Sequence, residues 1–357
     1  MTRRLLAVMA LMAFSAPLSF AAESTTPLQG VREQPPRWHA LINARVHVAP
    51  GQVLEQATVV LRDGRIQAVG TEVAAPPGAR VWDVEGANVY AGFIEPSRPL
   101  GEMAPRPEGP GHWNPRITPE RRAAGLPGVN GEAIDQLRGL GFALAQFTPA
   151  QGIFRGEGAL AHLAPVQDGR LEAGTRVLDA PALAHAAFEF GGWPNRDYPT
   201  SLMGAMALVR QALIDTRWHA DIATRWARDP VSTRPERNLA LEALRPVASG
   251  NQRLLFGARD ELDYARIFGL AREFALDVAI LGNGHEYRQA ALLAEAGRPV
   301  VIPLAFPEVP PVERVESADD ISLAALSHWE LAASNAAFLA AAGVEFSFTS
   351  TGLQRPA

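Results

Sequence analysis

The sequence predicts an α/β protein whose larger part is built on parallel strands, with a small β unit in front of it. In the second half, short apolar runs such as "RLLFGA" and "DVAILG" alternate with stretches of helical periodicity. Strands that alternate with helices of this length form parallel sheets with helical crossovers. The front segment instead alternates apolar and polar residues, as half-buried strands do. The alternation of strands and helices in the second half fits either an open doubly wound sheet or a closed barrel.

Composition excludes several classes of mechanism. The chain has 357 residues, of which 47% are hydrophobic, enough to bury a large core. A net charge of −5 without an arginine-rich block gives no indication of nucleic-acid binding. There is no cysteine, which removes disulfides, thiolate metal sites and cysteine nucleophiles. There is also no lysine, so a Schiff base, a P-loop lysine and a carbamylated lysine are all excluded.

The first 21 residues have the pattern of a signal peptide. Arg3 and Arg4 form the charged start, Leu5 to Phe14 the apolar segment, and small residues surround a cut after Ala21. The apolar run is too short for a membrane anchor, and Pro17 interrupts it. We therefore expect an exported protein, periplasmic in a Gram-negative cell, with no membrane span after cleavage.

The mature chain is expected to have three parts. Residues 22–37 are a polar, proline-bearing and flexible lead-in. Residues 38–88 form the small β unit, in which Asp63-Gly64 predicts a tight hairpin turn between alternating runs. Residues 89–357 form the larger domain.

Helix signals in the larger domain include a start at Thr200/Ser201 before a long amphipathic run and one continuous helix over "LAALSHWELAASNAAFLAAAG". The stretch "NVYAGFIEPSRPLG" is typical of a buried strand that runs into a loop carrying Ser97 and Pro99. The long Pro/Gly/Arg loop that follows is either functional or simply flexible.

Several stretches together resemble the amidohydrolase superfamily, in its imidazolonepropionase-like branch. They are "LINARVHVAPGQVLEQATVVLRDGRIQAVG", "VYAGFIEP", "GIFRGEGAL", "LGNGHEYRQAALLAEAGRPVVIP" and "FTSTGL". The resemblance covers most of the chain after residue 38. It implies a TIM-type (β/α)8 barrel with a small N-terminal β-sandwich portion, and a site at the C-terminal face of the barrel strands.

The resemblance also implies a divalent metal, held by histidines and an aspartate, that activates water to attack a C–N bond. At the matching positions this chain has Ser97 and Pro99 in place of the first-strand histidines, and Thr351 in place of the aspartate. These are the vestigial metal positions. A proline side chain has no donor atom, and the hydroxyls of serine and threonine are poor zinc ligands compared with imidazole or carboxylate.

The chain stops at Ala357, soon after the last predicted strand, whereas family members continue with a final helix and further sandwich strands. We therefore expect a barrel that is incomplete at the C-terminus. Either the gene is shortened, or an amidohydrolase-like partner chain covers the exposed strand edges.

Five residues are candidates for a pocket at the barrel mouth. His285 follows a strand, with Glu286 beside it, and is either a ligand or acid/base, or a solvent-facing residue at a helix start. His112 in the long loop either lines the pocket or packs with its neighbour Trp113. Arg98 and Arg155 would suit a carboxylate on a small-molecule ligand.

Two functional hypotheses follow. In the first, the metal site is lost, no residue is catalytic and no cofactor is bound, so that the protein is a binding or partner subunit. In the alternative, it is a zinc-dependent hydrolase of C–N bonds, acting on non-peptide amides or lactams. Its unusual ligands would then be Glu95, His162, His285 and Glu286.

Overall fold

The computed structural model describes residues 37–126, 129, 131–164, 177–178, 182–191, 197–229, 231, 234–311 and 319–353. The predicted signal peptide and nearly all of the lead-in lie outside these residues. The chain divides into two compact units, with the boundary between Ala91 and Gly92. The protein is a mixed α/β structure, as the sequence predicts.

The front unit is one five-stranded sheet. Its strands are β1 (Trp38–Ala49), β2 (Gln52–Arg62), β3 (Arg65–Gly70), β4 (Arg80–Asp83) and β5 (Asn88–Val89). The order is β3-β2-β1-β4, and β5 also pairs with β1. Strands β1, β2 and β3 are antiparallel neighbours, while β4 and β5 run parallel to β1.

The predicted hairpin is confirmed. Arg62 pairs with Arg65 across the turn, and Asp63 and Gly64 have φ of 48° and 75°. Positive φ at both central residues defines the tight turn that matches the twist of the two strands, and Asp-Gly adopts it readily. One face of the sheet buries Ala44, Val46, Ala57 and Val59 in a small apolar core.

The strands of the second unit form two sheets. They are β6 (Phe93–Pro99), β7 (Phe142–Thr148), β8 (Phe154–Glu157), β9 (Ala159–His162), β10 (Ala184–Ala187), β11 (Leu254–Gly257), β12 (Val278–Leu281), β13 (Val300–Pro303) and β14 (Phe346–Thr349). The six-stranded sheet has the order β14-β13-β12-β11-β10-β8, and the three-stranded sheet the order β6-β7-β9. Strands β10 to β14 are parallel, as are β6 and β7, whereas β8 and β9 are antiparallel to their neighbours.

Helices connect most of the parallel strands. They are α1 (Gly131–Gly139), α2 (Leu202–Arg228), α3 (Leu239–Ala248), α4 (Leu262–Glu273), α5 (Ala290–Ala296), α6 (Leu323–Ala332) and α7 (Asn335–Ala341). Ser201 caps α2 by accepting the N–H of Gly204, as predicted from the sequence. Within the described residues no helix is both long enough and apolar enough to cross a bilayer.

The main core lies between the helices and the outer face of the six-stranded sheet. It includes Phe154, Phe256, Ile280, Leu208 and Ile267, each almost fully buried. The opposite face of this sheet carries a smaller apolar cluster of Leu255, Ala279 and Val301. Strand residues therefore alternate between a helix-covered face and an inner face, as pleated strands require.

Two local predictions are wrong. Ser97 and Pro99 lie within strand β6 and not in a loop, because the ladder with β7 continues to the pair Pro99–Thr148. The single helix predicted over residues 323–343 is divided into α6 and α7, since Asn335 turns inward and is only 4% exposed. Sequence periodicity did not reveal this break, because alanines and leucines surround it on both sides.

Candidate functional site

The carboxyl ends of the parallel strands meet at one edge of the second unit, and Glu95 is the centre of the polar groups there. Its side chain is fully buried in β6. One oxygen, Oε1, accepts the N–H of Ser97 at 3.1 Å and the hydroxyl of Thr349 at 2.5 Å. The other, Oε2, accepts the N–H of Ser350 at 2.8 Å and its hydroxyl at 2.5 Å. We call Glu95, Ser97, Thr349, Ser350 and Thr351 the Glu95 cluster.

The Glu95 cluster joins the two sheets at a place where the strands themselves form no ladder within the described residues. Thr351 donates its hydroxyl to the carbonyl oxygen of Ser97, and the Thr349 hydroxyl also lies 3.1 Å from that carbonyl. The first and last strands of the unit are therefore connected by side chains from residues about 250 positions apart in sequence. The Ser97 hydroxyl is buried and has no hydrogen-bond partner among the described residues.

The metal that the resemblance implies does not fit these residues. The vestigial positions present two hydroxyls, at Ser97 and Thr351, and a proline ring at Pro99. The neighbouring carboxylate of Glu95 already accepts four hydrogen bonds from its own chain. A zinc site requires about three nitrogen, sulfur or carboxylate ligands with a free lone pair. Within the described ranges no three His, Asp or Glu side chains are grouped as a metal site would need.

Glu286, a second candidate, is a fully buried carboxylate that holds its own loop together. Its Oε1 accepts the Tyr264 hydroxyl at 2.8 Å and the N–H groups of Asn283 and Gly284 at 2.6 and 3.0 Å. Its Oε2 accepts from the Asn335 side-chain amide. Burial raises the pKa of Tyr264, and the neighbouring Glu286 carboxylate raises it further. Glu286 thus stabilises the turn between β12 and α5, and both of its oxygens accept hydrogen bonds from its own chain.

His285 points away from Glu286 and stacks on a helix. Its ring lies 3.7 Å from that of His328 in α6, with an angle of 13° between the two planes. The Tyr287 hydroxyl lies 3.3 Å from Nδ1 of His328. Partial burial lowers the pKa of His328, and the neighbouring His285 lowers it further. The two adjacent residues His285 and Glu286 therefore do not converge on one ligand.

Arg155 lies beside an acidic partner at the same strand edge. Its Nε donates to the carbonyl oxygen of Gly152 at 3.0 Å, and its NH2 lies 3.8 Å from Glu189, which follows β10. Glu189 is held more closely by Arg116, at 2.5 Å, and by the N–H of Gly152, at 2.7 Å. Burial lowers the pKa of Arg155. Its contact with Glu189 is long, and no other carboxylate among the described residues pairs with its guanidinium.

The other candidate residues, Arg98, His112 and His162, lie on different segments of the second unit. Arg98 is half-buried in β6, opposite Phe147 of β7. His112 is 7% exposed and accepts the N–H of Asn114 at Nδ1, and its ring is 5.3 Å from that of Trp113. Burial lowers the pKa of His112. His162, at the end of β9, is exposed.

A buried histidine outside the five pocket candidates is unusual in the structure. His185 in β10 is 5% exposed, and its Nε2 has no hydrogen-bond partner in the described part of the chain. Burial lowers its pKa to about 3, and the nearby Arg155 charge acts in the same direction. Gln146 is also buried with an unpartnered Nε2, and a Cβ on Gly158 would lie within 2.6 Å of both nitrogens. No local sequence signal marks this group, since its members come from three separate segments.

Comparison with known proteins shows a similarity of fold to solved structures, without a match in sequence. No protein-family model matches the chain, and no curated protein is similar to it in sequence. An amidohydrolase from Thermotoga maritima MSB8 has a similar structure, with a TM-score of 0.66 at 20% identity, over 88% of this chain and 79% of that one.

Two further solved structures align less well. A prolidase in complex with N-methylphosphonate-L-proline aligns at a TM-score of 0.43 and 16% identity, over 88% of this chain and 78% of that one. A triazine hydrolase from Arthobacter aurescens aligns at a TM-score of 0.40 and 14% identity, over 88% of this chain and 72% of that one. The likeness to the Thermotoga maritima protein shows that this chain has the fold of an amidohydrolase.

Proposed function

We propose that this chain is a member of the amidohydrolase superfamily that has lost its catalytic metal site and acts as a binding or partner subunit. The two sheets of the second unit are then walls of a (β/α)8 barrel, and the front sheet is part of a β-sandwich. The fold of an amidohydrolase supports this descent. The absence of lysine from the sequence removes the bridging carbamate that many members use.

One observation carries the proposal: the carboxylate at the vestigial site is saturated by its own chain. Glu95 accepts hydrogen bonds from Thr349 and Ser350, and Thr351 donates to the Ser97 carbonyl. These contacts engage the carboxylate lone pairs that a metal ion would need. The cluster supplies instead the cross-link between the first and last strands.

The role that remains is binding at the strand edge. Among the described residues, the only carboxylate paired with Arg155 is that of Glu189, at 3.8 Å. Arg98 lies on a neighbouring wall of the proposed barrel. Arginine pairs well with carboxylates in such positions. We propose a small carboxylate-bearing ligand at this mouth, and an amidohydrolase-like chain as the partner.

Metal content tests the proposal most directly. The mature protein, purified without chelator, should contain far less than one zinc, manganese or iron per chain. Hydrolysis of simple lactams and dipeptides should stay at the level of the buffer. Stoichiometric metal that is lost in His285→Ala, together with a matching loss of hydrolysis, would instead establish the zinc-dependent hydrolase.

We also propose that the protein is exported to the periplasm. The support is the order of charged, apolar and small residues before Ala21. N-terminal sequencing of the protein from a periplasmic extract should start near Ala22. An intact Met1 on soluble protein from the cytoplasm would reject export.

A further inference from the structure

A cavity of about 670 Å³ lies away from the mouth, between the long loop after β6 and helix α3. It is lined by Pro105, Arg106, Pro107, Glu120, Arg122, Leu239, Glu242 and Ala243. It shares Arg122, Glu242 and Ala243 with a second cavity of about 430 Å³. That second cavity reaches Ala184 and Arg253, at the start of strands β10 and β11. The larger cavity is therefore on the side of the strand starts, and its volume is typical of small-molecule sites.

A buried acid with a free oxygen lines this cavity. Glu120 is 5% exposed, and its Oε1 accepts from Nε of Arg106 at 2.5 Å. Its Oε2 is also buried and has no hydrogen-bond partner among the described residues. A buried carboxylate oxygen without a donor is costly, because it loses its hydration and gains nothing in return. A ligand with an N–H group would supply the missing donor.

Two opposite charges line the same cavity without pairing. Arg122 and Glu242 are both exposed, and neither makes an ion pair within the described residues. If the ligand carried only one charge, one of these two groups would remain unused. A ligand with an ammonium and a carboxylate group would engage both, because guanidinium pairs with carboxylate and carboxylate with ammonium. The prolines, Leu239 and Ala243 supply apolar walls for its body.

We propose that this cavity binds a small zwitterion with an aliphatic body, such as a free amino acid. The ammonium group is held by Glu120 Oε2 and Glu242, the carboxylate by Arg122, and the side chain packs against Pro105, Pro107 and Leu239. This site is separate from the proposed mouth and does not depend on the loss of the metal.

Isothermal titration of the full chain tests the proposal with three matched probes. L-leucine carries both charges, L-leucinamide lacks the carboxylate, and 4-methylpentanoate lacks the amine. L-leucine should bind saturably. 4-Methylpentanoate should bind about tenfold more weakly, because it loses the contact with the buried Glu120 carboxylate. L-leucinamide should bind about threefold more weakly, because it loses only the contact with the exposed Arg122. The absence of saturable leucine binding would overturn the proposal. So would equally tight binding of either single-charge probe.

Substitutions of the cavity residues test whether leucine binds in this cavity. Glu120→Gln should weaken leucine binding about tenfold, since the buried carboxylate contact is lost. Arg122→Gln and Glu242→Gln should each weaken it about threefold, because water screens these exposed charges. The controls are Arg138→Gln and Glu330→Gln, which change exposed charges elsewhere and should leave the affinity unchanged.

If Glu120→Gln does not fold, the two exposed variants decide the question by themselves. Leucine affinities equal to those of the controls in both Arg122→Gln and Glu242→Gln would reject this cavity as the site.

Discussion

Glu95 is the central residue of the cluster that links the two sheets of the second unit. Its buried carboxylate accepts two backbone N–H groups and two hydroxyls, all from residues of β6 or of the segment at the end of β14. The Thr349 hydroxyl can turn to the Ser97 carbonyl oxygen, 3.1 Å away, when the carboxylate is removed. The N–H groups of Ser97 and Ser350 cannot, so the cost of removal falls mainly on them.

We predict that Glu95→Ala lowers the free energy of unfolding by about 3 kcal/mol, the cost of leaving two buried N–H groups without acceptors. Glu95→Gln should cost less, because its amide oxygen retains part of the cluster. Glu330→Ala, an exposed glutamate of α6, serves as the control and should change stability by less than about 0.5 kcal/mol. Urea unfolding measures all three, and equal stabilities of Glu95→Ala and the control would show that the cluster is not a structural link.

His185 gives the fold a defined sensitivity to acid. Burial keeps the folded-state pKa of this imidazole near 3, whereas the unfolded value is 6.5. Between these two values the unfolded chain binds a proton that the folded chain does not. Stability from this group is therefore complete above pH 6.5 and is lost progressively as the pH falls toward 3, at up to about 1.4 kcal/mol per pH unit.

We expect His185→Gln to show a smaller loss of stability between about pH 6.5 and pH 5 than the unaltered chain. Carboxyl groups mostly titrate below this interval, so the comparison isolates histidines. Urea unfolding at four or five pH values gives the two slopes. His162→Gln, at an exposed position, should leave the slope unchanged. Parallel slopes for the unaltered chain and His185→Gln would contradict a buried neutral imidazole.

At the scale of elements, Glu286 ties the turn after β12 to helix α7. Its Oε2 accepts from Asn335, whose side-chain oxygen in turn accepts the N–H of Tyr287 at 2.8 Å. The interaction has a fixed polarity, with the acceptor at 286 and the donor at 335. An amide at position 286 would place two donors against each other, and a carboxylate at position 335 would place two acceptors against each other. Making both changes restores a donor and an acceptor, with their positions exchanged.

We therefore predict that Glu286→Gln and Asn335→Asp each lower the free energy of unfolding by about 2 kcal/mol. The double variant should recover more than half of the summed loss, because the amide introduced at position 286 then donates to the carboxylate introduced at position 335. Thermal and urea unfolding of the four proteins form a double-mutant cycle. Strictly additive losses would mean that the two side chains do not interact.

Elements with local signals were predictable from the sequence, and those defined by distant partners were not. The Asp63-Gly64 turn and the Ser201 cap are encoded within four residues. Strands β8 and β10, "FRGE" and "AHAA", are too short and too poor in β-branched residues to be recognised by periodicity.

The candidate site was predictable only in part. Ser97 and Thr351 were identified from the resemblance, and the structure brings these two together through one hydrogen bond. The role of Glu95 depends on Ser350, 255 residues later in the chain, and no sequence window contains both. The inward turn of Asn335 likewise has its cause in Glu286, on another element.

For the whole molecule, the proposed loss of the metal makes stability independent of chelators. An ion that binds only the folded state stabilises it by about 2.7 kcal/mol when its free concentration is a hundred times its Kd. A metal ion held between β6 and the end of β14 would connect strands far apart in the sequence, so its removal would be visible in thermal unfolding. Here the Glu95 cluster supplies that connection by hydrogen bonds alone.

We predict that the Tm of the protein is the same in buffer, in excess EDTA, and after addition of zinc or manganese. The matched comparison is Glu95→Ala, whose Tm should be lower and should also not respond to either treatment, because Ser97, Thr349 and Ser350 offer only hydroxyls. Calorimetry measures both proteins under each of these conditions. A Tm that falls in EDTA and returns with zinc in the unaltered chain would place a bound metal in the fold and remove the basis of the proposed binding role.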